Sequence, residues 1–263
     1  MSAYFAELSK ALKAAEIFRP CLVLDRDRLD GNIALVKQRL APGLALRLVD
    51  KSLPCVPLLS HIARALDTNR FMTFHPPVTQ AVLDAFPEGD LLYGKPMLAG
   101  AAKAALTKGG AGWWSRVCWL IDTPERLSEY GALAAALDTE LRFAFEIDVG
   151  LHRGGFSSPA EIEAPTIPKG LRCEGVMAYE AHAPEIPGLF GGAEKALKKA
   201  SAKARNSSRP SIRTGAASST SAARKRRCCM AQAWRTKSRS AQPSCCRATS
   251  IRLALPVSSR RPS

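Results

Sequence analysis

Strand-like apolar runs at 21–24, 44–49, 70–74, 91–93 and 117–121 are each followed by a stretch with helical spacing, at 29–40, 56–66, 78–86, 99–106 and 124–137. Two further runs, 141–149 and 175–179, lead into a Gly-rich turn and a loop. Strands alternating with helices are the signature of βα units and a parallel sheet. Ahead of them, Phe5, Leu8, Leu12 and Ala15 predict an amphipathic helix over 3–17. Thr123 before Pro124 and Glu125 predicts a capped helix start. Setting aside the run at 21–24, six strands remain, so the fold class is α/β, an incomplete (β/α)8 barrel of the TIM type, which has eight. An open doubly wound sheet is the alternative, weakened because no G-x-G-x-x-G follows the first strand.

Charge divides the chain in two. All 23 acidic residues lie at or before Glu194, whereas 13 of the 38 Lys and Arg lie after position 205. Residues 1–205 are thus nearly neutral and 206–263 are a basic stretch, so the net charge of +15 does not describe one folded surface. The 58 residues from 206 also hold 13 Ser and a single aromatic, Trp234. Such a segment buries too little apolar surface to offset its ordering entropy and is expected to be disordered. The expected domains are therefore 1–205, a partial barrel, and 206–263, a tail. No long apolar run and no signal-peptide pattern are present, which predicts a cytoplasmic protein without membrane contact. Cys21, Cys55, Cys118 and Cys173 lack C-x-x-C spacing and read as reduced packing residues.

Reactive groups in parallel α/β folds gather where strands end. The run at 46–49 closes on Asp50-Lys51-Ser52. A lysine held among low-dielectric barrel residues has its ammonium form disfavoured, and the neutral amine can form an imine with an aldehyde; a solvated lysine in a βα loop is the other reading. At 145–155, a strand runs into a Gly-rich turn that carries Arg153, whose planar fork suits an anionic oxygen. Alternatively Glu146 and Asp148 are its structural partners. At the third strand end Tyr179 and His182 share a rim, and His75 is similarly placed before Pro76-Pro77, where a plain loop histidine is the other reading.

Together, R-P-C-L-V-L-D-R-D-R-L-D-G-N-I at 19–33, the strand ending in Lys51-Ser52, E-I-D-V-G-L-H-R-G-G at 146–155 and G-V-M-A-Y-E-A-H at 175–182 resemble the fold-type III pyridoxal-phosphate enzymes. Within them the pattern is similar to the D-threonine aldolase and D-serine dehydratase-like branch, related to the alanine racemase N-terminal domain. The resemblance implies that Lys51 holds pyridoxal 5'-phosphate, that Arg153 lies near the ring hydroxyl and that Tyr179 lies beside the ring, with His75 and His182 at the same cofactor-binding rim. It implies a lyase acting on small D-3-hydroxy amino acids, homodimeric in the intact family, with a divalent metal whose ligands come from a C-terminal segment that has no match here. An amino-acid racemase of the alanine racemase type is the alternative activity. This chain on its own is expected to be inactive.

Beyond Arg205 the resemblance stops, and the Arg-, Ser-, Ala-, Pro- and Cys-rich composition is that of GC-rich DNA translated out of frame. Read one base out of register with permitted wobble, the codons for 227–252 can encode LLYGPGVANEVSLGSAVVLPSDFDT, which resembles the C-terminal part of the same family. A different class of reading takes Arg224-Lys225-Arg226-Arg227 as a nucleic-acid patch on a non-catalytic protein. No interleaved aromatics support that reading, so no specific nucleic-acid partner is expected. The adjacent pairs Cys228-Cys229 and Cys245-Cys246 lack the spacing of a metal site.

Overall fold

The computed structural model describes residues 3–106, 111–181, 192–207 and 229–230. The chain divides into two units, Met1–Pro42 with Lys237–Ser263, and Gly43–Thr236. In the first, α1 (Ala3–Ala14) is followed by α2 (Arg26–Arg39). The helix expected over 3–17 stops at Ala14, and Glu16 takes a left-handed φ of 54°. Asp25 caps α2 by accepting from the Arg28 amide, and the Tyr4 hydroxyl donates to its other oxygen at 2.8 Å. The run at 21–24 is not a strand; without a ladder partner an extended apolar segment stays irregular.

The second unit carries β1 (Leu48–Val49), α3 (Val56–Leu66), β2 (Arg70–Thr73), α4 (Pro76–Ala85), β3 (Asp90–Tyr93), α5 (Ala99–Leu106), α6 (Ala111–Trp114), β4 (Val117–Ile121), α7 (Pro124–Ala136), β5 (Leu141–Ile147), α8 (Pro159–Glu163), β6 (Leu171–Ala178), α9 (Gly192–Ser207) and β7 (Cys229–Met230). Every pairing is parallel and the spatial order is β1-β2-β3-β4-β5-β6-β7. A doubly wound sheet reverses direction at a switch point; this order never reverses, which is the order of a barrel. The α/β reading as an incomplete barrel therefore holds.

Two parts of the expected architecture change. The strand expected over 44–49 shrinks to two residues because β1 ends the sheet and pairs on one side, with β2. At Cys229–Met230 the expected disorder gives way to a strand paired with Met177–Ala178, which satisfies backbone groups on the outer edge of β6. The remainder of 208–263 lies outside the described residues.

The core is built on strict alternation. Phe71, Leu91, Trp119, Phe143 and Phe145 face the helices and pack with Leu59, Val82, Leu83, Ala102, Leu127 and Tyr130. Met72, Leu92, Cys118, Leu120 and Ala144 form a smaller cluster on the other face with Met177 and Phe74. Because both faces are covered, β4 is buried at every position, and such strands read as continuous apolar runs. Trp119 ties three elements together, lying 5.4 Å from Tyr93, 5.7 Å from Trp114 and 5.5 Å from Tyr130 between ring centroids. Cys118 is buried and Cys21, Cys55 and Cys173 are half-buried, none in a disulfide.

At the beginnings of the strands the inner face is charged. Asp90 accepts from Arg47 at 2.6 Å and from Arg142 at 2.8 Å, and Glu174 accepts from Arg142 at 3.0 Å and from Arg172 at 2.7 Å. This network joins β3, β5 and β6 to the residue before β1, at the end opposite the candidate site. No helix among the described residues is long and apolar enough to cross a membrane.

Candidate active site at the strand-end rim

Four of the residues singled out in the sequence follow the ends of strands on one rim: Lys51 after β1, His75 after β2, Arg153 in the turn after β5 and Tyr179 after β6. His182 lies outside the described residues. The rim is assembled by backbone that can approach closely. The turn curls back onto β5, where the Phe156 amide donates to the Glu146 carbonyl at 2.8 Å and the Asp148 amide to the Phe156 carbonyl at 3.0 Å. Gly155, at φ +97°, makes this possible, since a Cβ there would lie 2.7 Å from the Glu146 carbonyl oxygen.

Curling of the turn delivers Arg153 to its place. Its Nε donates to Glu146 Oε1 at 2.6 Å, one Nη2 hydrogen goes to the Gly94 carbonyl at 3.2 Å, and its guanidinium lies 4.7 Å from the centre of the Tyr179 ring. Glu146 is thus a partner of Arg153, as one of the two sequence readings had it. Asp148 is not: it binds the His152 imidazole at 2.7 Å and accepts from the Gly150 and His152 amides. Burial pushes the Glu146 carboxyl above the ordinary carboxylate range, although Arg153 pulls it down.

Lys51 reaches the same network through Phe74. Its ammonium lies 5.2 Å from the Phe74 ring, and that ring packs so closely on Gly94 that a Cβ at Gly94 would lie 2.3 Å from it. The path Lys51, Phe74, Gly94, Arg153, Tyr179 is therefore continuous. The expected enclosure of Lys51 in apolar barrel residues is not found: Lys51 is exposed. Its strand lies at the end of the sheet, and Val49, two residues earlier on the same face, is itself 53% exposed. His75 is exposed, precedes α4 and makes no capping hydrogen bond with its side chain.

Sequence reasoning missed Phe74, Gly94 and Asp50. A glycine directly after the apolar run Leu91-Leu92-Tyr93 was a readable sign of close approach at a strand end. Asp50 is 1% exposed and sits with the hydroxyls of Thr73, Thr79 and Tyr93. No group of three or more His, Cys, Asp or Glu among the described residues is arranged to hold a metal.

A rim of strand ends bearing an amine, a guanidinium and a phenol on a parallel sheet in barrel order is the candidate site. The family described as "Alanine racemase, N-terminal domain" matches residues 24–233, and the chain belongs to that family, one of pyridoxal-phosphate enzymes of fold type III. The fold is similar to that of an alanine racemase from Clostridium difficile 630, at 15% identity and TM-score 0.55, with 75% of this chain and 52% of that chain covered. It is similar also to D-threo-3-hydroxyaspartate dehydratase from Delftia sp. HT23, at 22% identity and TM-score 0.59, covering 74% and 53%. An alanine racemase-like protein from Idiomarina loihiensis follows at 22% identity and TM-score 0.58, covering 72% and 50%. The chain thus spans about half the length of these solved chains. A comparison with curated proteins gave no match.

Proposed function

We propose that the rim binds pyridoxal 5'-phosphate and that the chain derives from a lyase acting on D-3-hydroxy amino acids. The observation that carries this reading is the contact path from Lys51 through Phe74 and Gly94 to Arg153 and Tyr179. The residues suit the group: an exposed primary amine for an aldehyde, a guanidinium for an anionic ring oxygen, and an aromatic face. When bound, the cofactor supplies an electron sink for a bond breaking at the substrate's Cα. Lys51 would hold it through its amine. Arg153, fixed on Glu146 and Gly94, keeps its remaining N–H donors oriented towards an anion, and Tyr179 limits where a planar ring can lie. The lyase reading and its substrate class draw support from the similarity to a dehydratase whose name gives a D-3-hydroxy amino acid. The similarity to alanine racemases supports a racemase as the second reading, which requires another base on the opposite side of the substrate.

The test is reductive trapping. Pyridoxal phosphate followed by borohydride, read by peptide mass spectrometry, is expected to label Lys51 ahead of other exposed lysines, and Lys51→Ala to lose that label. Labelling spread evenly over surface lysines, unchanged in Lys51→Ala, would overturn the assignment. We expect this chain not to turn over D-threonine. We propose further that 206–263 is an out-of-frame segment following the partial barrel 1–205.

A further inference from the structure

Asp50 occupies a place where a charged group is costly. It follows β1 directly, 1% exposed, and its amide donates to the Met72 carbonyl at 3.2 Å. Its Oδ2 has no hydrogen-bond partner. The groups around it are Thr73 on β2 and Thr79 on α4, both fully buried, and Tyr93 on β3, 2% exposed. No cation is among them. A buried carboxylate without a cation carries a large desolvation penalty.

The hydroxyls beside Asp50 share their hydrogens in one of two arrangements. The Thr79 hydroxyl donates to the His75 carbonyl at 3.0 Å. A hydroxyl has one hydrogen, so with the Thr79 hydrogen on His75 it is Thr73 that donates in the 2.7 Å contact between them, and with the Thr79 hydrogen on Thr73 the Thr73 hydrogen is free for Asp50. In the first arrangement Thr73 offers the Asp50 carboxyl beside it only lone pairs. Asp50 then supplies the hydrogen of the bond between them, and the burial of its Oδ2 away from any partner favours that arrangement. The titratable group facing Asp50 among the described residues is Tyr93, whose phenol burial pushes up to about 12, so it stays neutral and adds no charge near neutral pH.

We propose that Asp50 is an uncharged carboxylic acid in the folded protein, donating to Thr73, and that this bond is what positions the strand end carrying Lys51. Asp50 is a positioning residue. Lys51 is exposed with its ammonium over the Phe74 ring, and its backbone continues directly from its buried neighbour. Phe74 follows Thr73 directly, so one bond between β1 and β2 fixes both members of the amine and ring pair. The positioning half rests on Lys51 being the anchoring amine; the protonation half does not.

Infrared spectroscopy of the full chain at neutral pH, compared with Asp50→Asn, is expected to show the carbonyl stretch of a protonated carboxyl that vanishes in the variant. Trapping at Lys51, scaled to the exposed Lys169, is expected to be retained in Asp50→Asn, whose amide also donates, and in Thr73→Ser. It is expected to fall about fivefold in Thr73→Val, or in Asp50→Ala should the first not fold, equivalent to about 1 kcal/mol. Absence of the infrared band overturns the protonation. Wild-type trapping ratios in both Thr73→Val and Asp50→Ala overturn the positioning role. A wild-type chain that shows the band yet leaves Lys51 unlabelled overturns the cofactor reading and the positioning role, and supports the neutral acid alone.

Discussion

Asp90 and Glu146 are both largely buried and both bound to arginine, yet their carboxyls move in opposite directions. At Asp90 burial is opposed by two guanidinium groups, Arg47 and Arg142, which hold the carboxyl below the ordinary range. At Glu146 burial outweighs the single Arg153, and the carboxyl rises. The stability consequences carry opposite signs. Asp90 contributes fully above the ordinary carboxylate range, and its contribution is lost as pH falls through its lowered value. Glu146 contributes below the ordinary range, and its contribution is lost as pH rises through its raised value. Thermal unfolding followed against pH is therefore expected to show a shallower acid limb in Asp90→Asn, and a smaller loss on going from acid to neutral pH in Glu146→Gln. Because Asp90 anchors two arginines, Asp90→Ala is expected to cost about 3 kcal/mol at neutral pH, measured by denaturant unfolding. At this scale Lys51, Arg153, Tyr179 and His75 were legible as polar residues interrupting apolar strand ends. Asp50 and Asp90 were not, because their partners, Thr73, Thr79, Arg47 and Arg142, are distant in sequence and nothing in spacing pairs them.

Among the elements, α7 shows how a local signal and a tertiary one combine. The Thr123 hydroxyl accepts from the Arg126 amide at 3.1 Å, Pro124 occupies the first turn, and Leu127, Tyr130, Leu133 and Ala134 bury one face. Thr123→Ala is expected to destabilise the chain by about 1 kcal/mol in denaturant unfolding without changing trapping at Lys51, since the cap lies outside the rim path. The helices over 56–66 and 99–106 and the strand over 117–121 were legible to the residue, because continuous burial on both faces or a clear apolar stripe fixes their bounds. Elements whose bounds depend on a neighbour were not. The run at 21–24 is apolar enough for a strand and has no partner, and β1 is cut short as the end of the sheet. β6 starts at Leu171, earlier than its apolar run, because Leu171, Arg172 and Cys173 pair with β5, Arg172 makes an ion pair with Glu140, and Glu174, skipped by the register at a bulge, is tied to Arg142.

For the whole molecule, the order β1 to β7 adds each strand beside the last, and the family match extends to residue 233, past the point where acidic residues cease. A strand at Cys229–Met230 and an out-of-frame origin are compatible. With permitted wobble, the bases encoding that stretch, read one position out of register, can give Leu-Leu-Tyr-Gly, so a β-former can stand at that point in either frame. The coding DNA across codons 195–230 is therefore expected to contain one inserted or deleted base whose correction opens a longer frame with acidic residues restored. The chain expressed from the corrected frame should trap pyridoxal phosphate at Lys51 more tightly than the present chain and cleave D-threonine to glycine and acetaldehyde, read by aldehyde release. Release of ammonia would indicate dehydration in place of that cleavage, and exchange of the Cα hydrogen without either product would indicate racemisation. A coding sequence in which no single-base change yields a longer acidic frame would sink the out-of-frame origin, and the basic segment would then have to be explained as a part of the protein in its own right.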